Sequence, residues 1–318
     1  MSLRIEDITY VYDQGTAMAV NALNHISVEI PDGQFIGLVG HTGSGKSTFV
    51  QMLNGLLLPS SGHIYWDGQD IQADGFDRKR LRANVGLVFQ YPEHQLFESD
   101  VLADVMFGPK NLELPAEECR KRAEEALMQV QLPKECWEMS PFDLSGGQKR
   151  RAAIAGVLAM HPRILILDEP TAGLDPRGRD EILEMVRRMK ENLHMTIVLV
   201  SHSMDDVAEY TDRILVMNAG SILMDGTPEE VFARYEELEP IGLAAPQMVY
   251  IMQYLRGLGL PVNPNALTVE AGKEEILSHI ADLNALTGKN FHAVGTGAVR
   301  TRKQPQGKTK AEGETVHA

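Results

Sequence analysis

The segment that most constrains the fold of this chain is a glycine-rich loop near its start. Residues 40–47 read GHTGSGKS and fit the spacing G-x-x-x-x-G-K-[ST], in which glycines let backbone N–H groups approach phosphate oxygens closely. The preceding residues 35–39 predict a buried strand, and residues 46–57 predict a helix. A strand, a glycine loop and a helix start form an anion site, because the positive end of the helix dipole faces the loop. The predicted nucleotide contacts in this loop are Gly40, His41, Thr42, Gly43, Ser44, Gly45, Lys46, Ser47 and Thr48.

Side chains in the loop and at the end of a later strand are expected to form a phosphate and metal site. Lys46 would reach the β- and γ-phosphates, and the Ser47 hydroxyl would ligate Mg²⁺. Asp168 and Glu169 follow a predicted buried strand at residues 164–167, so they emerge at the carboxyl edge of the sheet beside the glycine loop. We expect Asp168 to hold the Mg²⁺ shell and Glu169 to orient and deprotonate the attacking water. The alternative is that both carboxylates only cap the following turn.

Two further residues end predicted strands at the same edge. His202 can hydrogen-bond the γ-phosphate and hold both the water and Glu169 in place, but a lone histidine is more often structural. Gln90 offers a neutral amide that can ligate Mg²⁺ and sense the γ-phosphate, and its alternative is an ordinary strand-end glutamine. The predicted catalytic residues are therefore Glu169, His202 and Lys46, and the predicted metal ligands are Ser47, Gln90 and Asp168.

A second glycine motif, residues 144–148 (LSGGQ), is the most discriminating feature. Its residues Ser145, Gly146, Gly147 and Gln148 open a predicted helix and offer another set of N–H groups to an anion. One nucleotide rarely needs two such sites in one chain, so we infer that the glycine loop of one polypeptide and the second glycine motif of another grip the same ATP. The alternative is a tight N-cap alone. The basic run that follows, Lys149, Arg150 and Arg151, is interpreted mostly as a solvated helix face.

Tyr12, which lies upstream of the glycine loop in the sequence YVY, is a candidate for stacking on adenine. Core packing explains one of the two tyrosines, Tyr10 and Tyr12, equally well. The sequence leaves that choice open.

Composition limits the partners. The 318 residues carry a net charge of −14, which argues against a protein that coats nucleic acid. The first residues lack the apolar run of a signal peptide, and no stretch approaches the roughly 18 apolar residues of a membrane helix. We therefore expect any membrane crossing to belong to another chain. Cys119 and Cys136, without metal-ligand spacing around them, are expected to be reduced thiols.

Strands alternating with helices predict an α/β fold with a mostly parallel sheet covered on both faces. From about residue 91 the pattern changes to a charged helical segment, interpreted as an inserted helical subdomain over about 91–160. The predicted division is an ATPase domain at 1–238, a helical extension at 239–292 and a flexible tail at 293–318.

With these residues in hand, the chain resembles an ATP-binding cassette (ABC) ATPase subunit from about residue 3 to residue 232. In chain order the resemblance rests on the glycine loop, Gln90, residues 144–148, residues 164–169, residues 172–175 and His202. It implies a core α/β subdomain with a mostly parallel sheet, an antiparallel β subdomain and an inserted helical subdomain. It also implies that Asp175 lies at the subunit interface and helps to link the two nucleotide sites.

Residues 41–46, 89–97 and 107–109 are similar to the ATPase subunits of energy-coupling factor (ECF) transporters. Residues 15–19 and His41 suggest the second of the two ATPase types in such complexes. The resemblance implies ATP and Mg²⁺ as cofactors, a second ATPase subunit as partner, a transmembrane coupling protein, a substrate-binding membrane subunit and no nucleic acid. It implies a peripheral position on the cytoplasmic face of the membrane, uptake of vitamins or transition-metal ions, and a helical carboxyl-terminal extension that adds to the dimer contact.

Three alternatives stay open. One is the ATPase of a different ABC transporter. A DNA-repair or chromosome-structure ATPase is disfavoured because about 100 residues, without sustained heptads, separate Lys46 from Ser145. A translation factor with two cassettes is disfavoured because this chain holds one.

Leu96 and Phe97 lie among polar residues close after Gln90. They predict a groove for an amphipathic helix of the membrane partner. Their alternative role is to pack the helical subdomain against the core.

Overall fold

The computed structural model describes residues 3–287, so the predicted tail and the last five residues of the predicted extension lie outside the described residues. The strands are β1 (Leu3–Tyr12), β2 (Val20–Ile30), β3 (Phe35–Val39), β4 (Ser61–Trp66), β5 (Gln69–Asp70), β6 (Val85–Val88), β7 (Ile164–Asp168), β8 (Thr196–Val200), β9 (Arg213–Asn218) and β10 (Ser221–Gly226). The helices are α1 (Lys46–Leu53), α2 (Arg78–Asn84), α3 (Val101–Val105), α4 (Phe107–Asn111), α5 (Ala116–Gln129), α6 (Gly146–Leu158), α7 (Pro176–Leu193), α8 (Met204–Tyr210), α9 (Pro228–Phe232), α10 (Tyr235–Leu238), α11 (Gln247–Gly257), α12 (Val269–Ser278) and α13 (Ile280–Thr287).

The central sheet has the strand order β10-β9-β3-β8-β7-β6. Strands β9, β3, β8, β7 and β6 are parallel neighbours, and β10 pairs antiparallel with β9 at one edge. Every residue of β3, β6, β7 and β8 is buried, as expected for strands covered on both faces. The predicted α/β class with a mostly parallel sheet is confirmed, and the carboxyl ends of β3, β7 and β8 meet at one edge.

A second, antiparallel sheet has the order β2-β1-β4-β5. The antiparallel β subdomain that the resemblance implied is present, but no sequence pattern singled out β1. Leu3, Ile5 and Ile8 of β1 are buried, with a shift of register against β2 between Ile5 and Ile8. That irregularity breaks the simple alternation by which a strand is recognised in a sequence.

Helix α1 is shorter than predicted. It ends at Leu53, because Gly55 takes a left-handed conformation (φ +70°) and its N–H turns back to the carbonyl of Met52. A glycine at this position ends a helix at little conformational cost.

Helices α3 to α6 occupy the sequence between β6 and β7. Helix α5 packs through one face, and that face consists of Cys119, Ala123, Ala126 and Leu127. These residues join one hydrophobic core with Val88 of β6 and Leu165 of β7. Both cysteines are buried and unpaired, as the sequence predicted.

The helices after β10 form two further apolar clusters. One joins α9 to β9 through Phe232 and Val216, and the other gathers around Met252 with Ile276 and Leu283 partly buried against it. Across residues 3–287, no helix is long and apolar enough to cross a bilayer.

Candidate functional site

The glycine loop connects β3 to α1, and close packing enforces glycine at two of its positions. Gly45 adopts φ +103°, and a Cβ atom there would lie 2.6 Å from the carbonyl oxygen of Ala22. A Cβ atom on Gly40 would lie 2.5 Å from the carbonyl oxygen of Met217. The loop is therefore held close against Ala22 of β2 and Met217 of β9.

Lys46 is buried beneath this loop, with 6% of its surface exposed. Its Nζ donates hydrogen bonds to the carbonyl oxygens of Gly40 (2.6 Å) and His41 (3.1 Å). Burial lowers the pKa of the Lys46 amine, and the charges of Glu169 and Asp168 partly oppose that shift. The amine thus lies between the loop and two carboxylates, where it can pair with a phosphate bound in the loop.

Asp168 is the last residue of β7 and is also buried. Burial raises the pKa of its carboxyl group, and the charge of Glu169 raises it further, whereas a hydrogen bond with Ser47 and the charge of Lys46 lower it. Asp168 and Ser47 are therefore direct neighbours, and both present oxygen atoms of the kind that Mg²⁺ prefers.

Glu169 is the centre of a three-residue cluster. The Nε2 of Gln90 donates to its Oε2 at 2.8 Å, and the Nε2 of His202 lies 2.6 Å from its Oε1. Gln90 follows β6, Glu169 follows β7 and His202 follows β8, so three neighbouring parallel strands deliver these side chains to one point. The structure brings together the residues that the sequence predicted to handle the γ-phosphate.

A cavity of about 590 Å³ opens over these groups and is lined by Tyr12, Gln90, Glu169, His202 and the part of the loop and helix start formed by Thr42, Gly43, Gly45, Lys46, Ser47 and Thr48. Gly40, His41 and Ser44 of the loop do not line it. Tyr12 is 38% exposed, and its hydroxyl lies 3.0 Å from Oγ1 of Thr48. Tyr10 packs against the hydrophobic core. Core packing, the alternative role that the sequence left open for one of the two tyrosines, is therefore the role of Tyr10. Sequence reasoning missed the wall formed by Val20, Asn21 and Ala22, which carries no motif.

The second glycine motif lies at the start of α6. Ser145 accepts a hydrogen bond from the N–H of Gln148 (3.4 Å), and its own N–H donates to Oε1 of Gln148 (2.9 Å), which forms a capping box. The predicted cap is present. In the described part of the chain, the motif residues Ser145, Gly146, Gly147 and Gln148 do not line the cavity.

Within residues 3–287, packing gives no reason for glycine at Gly146 and Gly147. A Cβ atom at either position would meet no atom of the described part of the chain within 4 Å. The open space above the first turn of α6 therefore suits the close approach of a group that another molecule supplies.

Asp175 caps α7, where its Oδ1 accepts from the N–H of Gly178 at 2.8 Å. It is exposed and stands apart from the cavity. The role at a subunit interface, which the family resemblance implies for Asp175, stays a prediction.

The basic run after the second glycine motif is not a solvated face. Arg150 is 2% exposed, and its guanidinium contacts Glu93 and the carbonyl oxygens of Pro170 and Ala172. Arg151 donates to the carbonyl oxygen of Val130 and pairs with Glu181. The interpretation as a solvated face is wrong for Arg150 and Arg151, because carboxylates and carbonyl groups distant in sequence accept hydrogen bonds from their guanidinium groups.

The residues of the site fit a magnesium nucleotide. Among the residues that the structure describes, the buried Oγ of Ser44 in the loop has no hydrogen-bond partner. Ser47 and Asp168 supply oxygens, and Gln90 uses its amide N–H on Glu169, which leaves the amide oxygen available. Among residues 3–287 there is no group of three or more His, Cys, Asp or Glu side chains that could hold a metal. A divalent cation here would complete its shell with phosphate and water oxygens, as Mg²⁺ commonly does.

The fold and the site define an ABC ATPase. The family model described as ABC transporter matches residues 23–172. Among solved structures, cbiO1 from Clostridium perfringens, described as part of the ABC transporter complex cbiONQ, is 41% identical, with a TM-score of 0.67 over 79% of this chain and 98% of that chain. The ATP-binding cassette MJ0796, a dimer bound to ADP and Pi, is 28% identical, with a TM-score of 0.64 over 71% of this chain and 98% of that chain.

Two curated relatives carry the name energy-coupling factor transporter ATP-binding protein EcfA2. The protein of Caldanaerobacter subterraneus subsp. tengcongensis is 51% identical over 88% of this chain and 98% of its own length. The protein of Clostridium perfringens is 50% identical over 89% of this chain and 100% of its own length. The chain therefore belongs to the family of energy-coupling factor transporter ATP-binding proteins, of the EcfA2 type, as the sequence motifs predicted.

Proposed function

We propose that this chain hydrolyses Mg·ATP as one half of a nucleotide-sandwich dimer and thereby powers an ECF importer for vitamins or transition-metal ions. The partners in this proposal are a second ATPase subunit, a transmembrane coupling protein and a substrate-binding membrane subunit. The complex places the chain peripherally on the cytoplasmic face of the membrane. The observation that carries the proposal is the cluster of Gln90, Glu169 and His202 beside Lys46 in one cavity.

Glu169 acts as the general base in this proposal. A hydrogen bond from Gln90 to Oε2 and the close contact of His202 with Oε1 hold the carboxylate in place. A base held in this way can accept the proton of an attacking water without further rearrangement. His202 lines the same cavity and is half exposed, and it is proposed to contact the terminal phosphate.

Ser47, Asp168 and Gln90 are the residues that would hold Mg²⁺. When bound, the ion neutralises charge on the β- and γ-phosphate oxygens. Lys46 adds a positive charge to the same phosphates from beneath the loop, and the Tyr12 ring supplies a face on which the base can stack. The nucleotide is thus held at both ends by one chain.

The remaining face of the nucleotide is proposed to be covered by the second glycine motif of the partner ATPase. Ser145 and Gly146 of this motif are exposed at a helix N-terminus, there is room above Gly146 and Gly147, and no residue of the motif lines the cavity of its own chain. These three facts are explained together if the motif serves the cavity of a second polypeptide. The helical extension after residue 238 is proposed to add to that contact.

A groove on the helical segment is the proposed contact for the membrane coupling protein. It has a volume of about 320 Å³ and lies between Phe97, Phe107 and Met160. The two phenylalanine rings meet edge to face at 5.0 Å, and 58% of Phe97 is exposed. Buried Asp104 fixes this turn by accepting the N–H of Phe97 at 2.7 Å. Leu96, by contrast, is buried in the core, so the packing alternative holds for Leu96.

Replacing Phe97 with Ser should loosen the membrane partner without harming the ATPase chain. An exposed aromatic anchor in a groove is the kind of residue that dominates an interface, so we expect at least about a tenfold loss of partner retained on a tagged chain. ATP hydrolysis by the ATPase subunits alone should stay within about twofold of the wild type. The matched control is Met128→Ser, an exposed apolar side chain on α5 outside the groove. Equal retention by the Phe97 variant and the wild type would remove this groove from the interface.

Purification of the tagged full chain from its native membranes in mild detergent tests the assembly. We expect a second ATPase chain and a hydrophobic membrane protein to accompany it in a defined mass. Co-purification with DNA or ribosomes instead would favour the DNA-repair or translation-factor alternatives and contradict the proposal.

A further inference from the structure

The buried side chain of Arg150 connects three segments that handle nucleotide. Arg150 lies on α6, five residues after Ser145 of the second glycine motif. Its Nη2 donates to Glu93 at 2.9 Å, and Glu93 lies three residues after Gln90. Its Nη1 donates to the carbonyl oxygens of Pro170 (3.0 Å) and Ala172 (2.8 Å), in the turn that follows Glu169.

The contacts of Arg150 with Glu93, Pro170 and Ala172 hold the guanidinium in one position. The guanidinium is planar and its N–H groups form a rigid fork, so simultaneous contacts to a carboxylate and two carbonyl oxygens define its position. Burial raises the pKa of Glu93, but hydrogen bonds from Arg150 and from the backbone outweigh burial and hold it below its usual range. The pair is therefore ionised and satisfied inside the protein, where a shift of one partner must move the other.

The contacts of Arg150 connect segments that serve different nucleotides. Gln90 and Glu169 line the cavity of this chain, whereas the second glycine motif stands apart from it and faces open space. On the proposed function, on which this inference rests, that motif completes the cavity of the partner ATPase.

We propose that Arg150 is a positioning residue that links the two nucleotide sites of the dimer. Through Glu93 and the turn after Glu169, it fixes α6, and with it the second glycine motif, relative to the cavity of its own chain. A change at Gln90 or Glu169 on one nucleotide is thereby passed to the motif that grips the other nucleotide. Arg150 touches neither nucleotide itself.

The test replaces Arg150 with Lys in the full chain, assembled with its partner subunits. Lys keeps the charge, but its single ammonium group cannot reproduce the fork. We expect kcat for Mg·ATP hydrolysis to fall at least about tenfold, because small misplacement of a positioning element is costly to turnover. The affinity of the isolated full chain for a fluorescent ATP analogue should stay within about twofold of the wild type, because Arg150 does not line its cavity.

Arg151→Lys is the matched control on the same helix. Arg151 contacts Val130 and Glu181, away from the segments of Gln90 and Glu169, and we expect kcat within about twofold of the wild type. Should Arg150→Lys fold poorly, the neutral double variant Arg150→Gln with Glu93→Gln removes the unpaired buried charge. It should recover the melting temperature while kcat stays low.

Three results would overturn the inference: an unchanged kcat in Arg150→Lys, an equal loss in Arg151→Lys, or wild-type kcat in the double variant. A Ser145→Arg variant separates this inference from the proposed function. Loss of hydrolysis in Ser145→Arg, combined with normal turnover in Arg150→Lys, overturns only the role of Arg150. Normal hydrolysis in Ser145→Arg overturns the shared site and the role of Arg150 together.

Discussion

Replacing Glu169 with Gln should lower ATP hydrolysis by roughly 10²- to 10⁴-fold while ATP stays bound. The amide keeps the size of the carboxylate and one oxygen that can accept from Gln90 or His202, but it cannot accept a proton from water. Single-turnover hydrolysis and nucleotide retention measure the two effects separately. The expected product is a stable dimer that contains uncleaved ATP.

The control for this variant is Glu181→Gln, which removes a half-exposed carboxylate on α7 outside the cavity. It should hydrolyse ATP at the wild-type rate. Near-normal turnover in Glu169→Gln would exclude Glu169 as the base and leave it a capping carboxylate, the alternative that its sequence position allowed.

Replacing Lys46 with Ala should weaken nucleotide binding itself. Hydrogen bonds to charged groups contribute about 1.5–3 kcal/mol, so the loss of the ammonium group is expected to raise the Kd for ATP by roughly 10- to 100-fold. Titration with a fluorescent ATP analogue measures the change. Because the amine is buried against Gly40 and His41, the melting temperature without nucleotide must be compared as well.

The contrast between these two variants is informative. Glu169→Gln should change turnover at unchanged affinity, whereas Lys46→Ala should change affinity first. A Kd within about twofold of the wild type in Lys46→Ala, with the protein folded, would contradict a phosphate-binding role for this lysine.

Features encoded by local sequence were predictable. The glycine loop between β3 and α1 follows from a buried apolar run and a fixed spacing of glycines, and the cap at Ser145 follows from a serine with glutamine three residues later. The meeting of Gln90, Glu169 and His202 was also predictable, because residues that end parallel strands share one edge of the sheet.

Features that depend on distant partners were not predictable from the residues. Strand β1 escaped notice because its register shift interrupts the alternation of Leu3, Ile5 and Ile8. The burial of Arg150 depends on Glu93 and on carbonyl groups about 20 residues later in the chain. No local sequence pattern predicts these partners. Leu96 and Phe97 are neighbours of similar character, yet tertiary packing buries the first and exposes the second.

The central claim is that each ATP lies between two polypeptides, and the turnover per chain as a function of chain concentration tests it most directly. At saturating Mg·ATP, turnover per chain should vanish on dilution. It should rise as ATPase chains are added, whether copies of this chain or its second ATPase partner. A turnover that stays constant on dilution, in a particle with the 35.2 kDa mass of one chain, would contradict the shared nucleotide site.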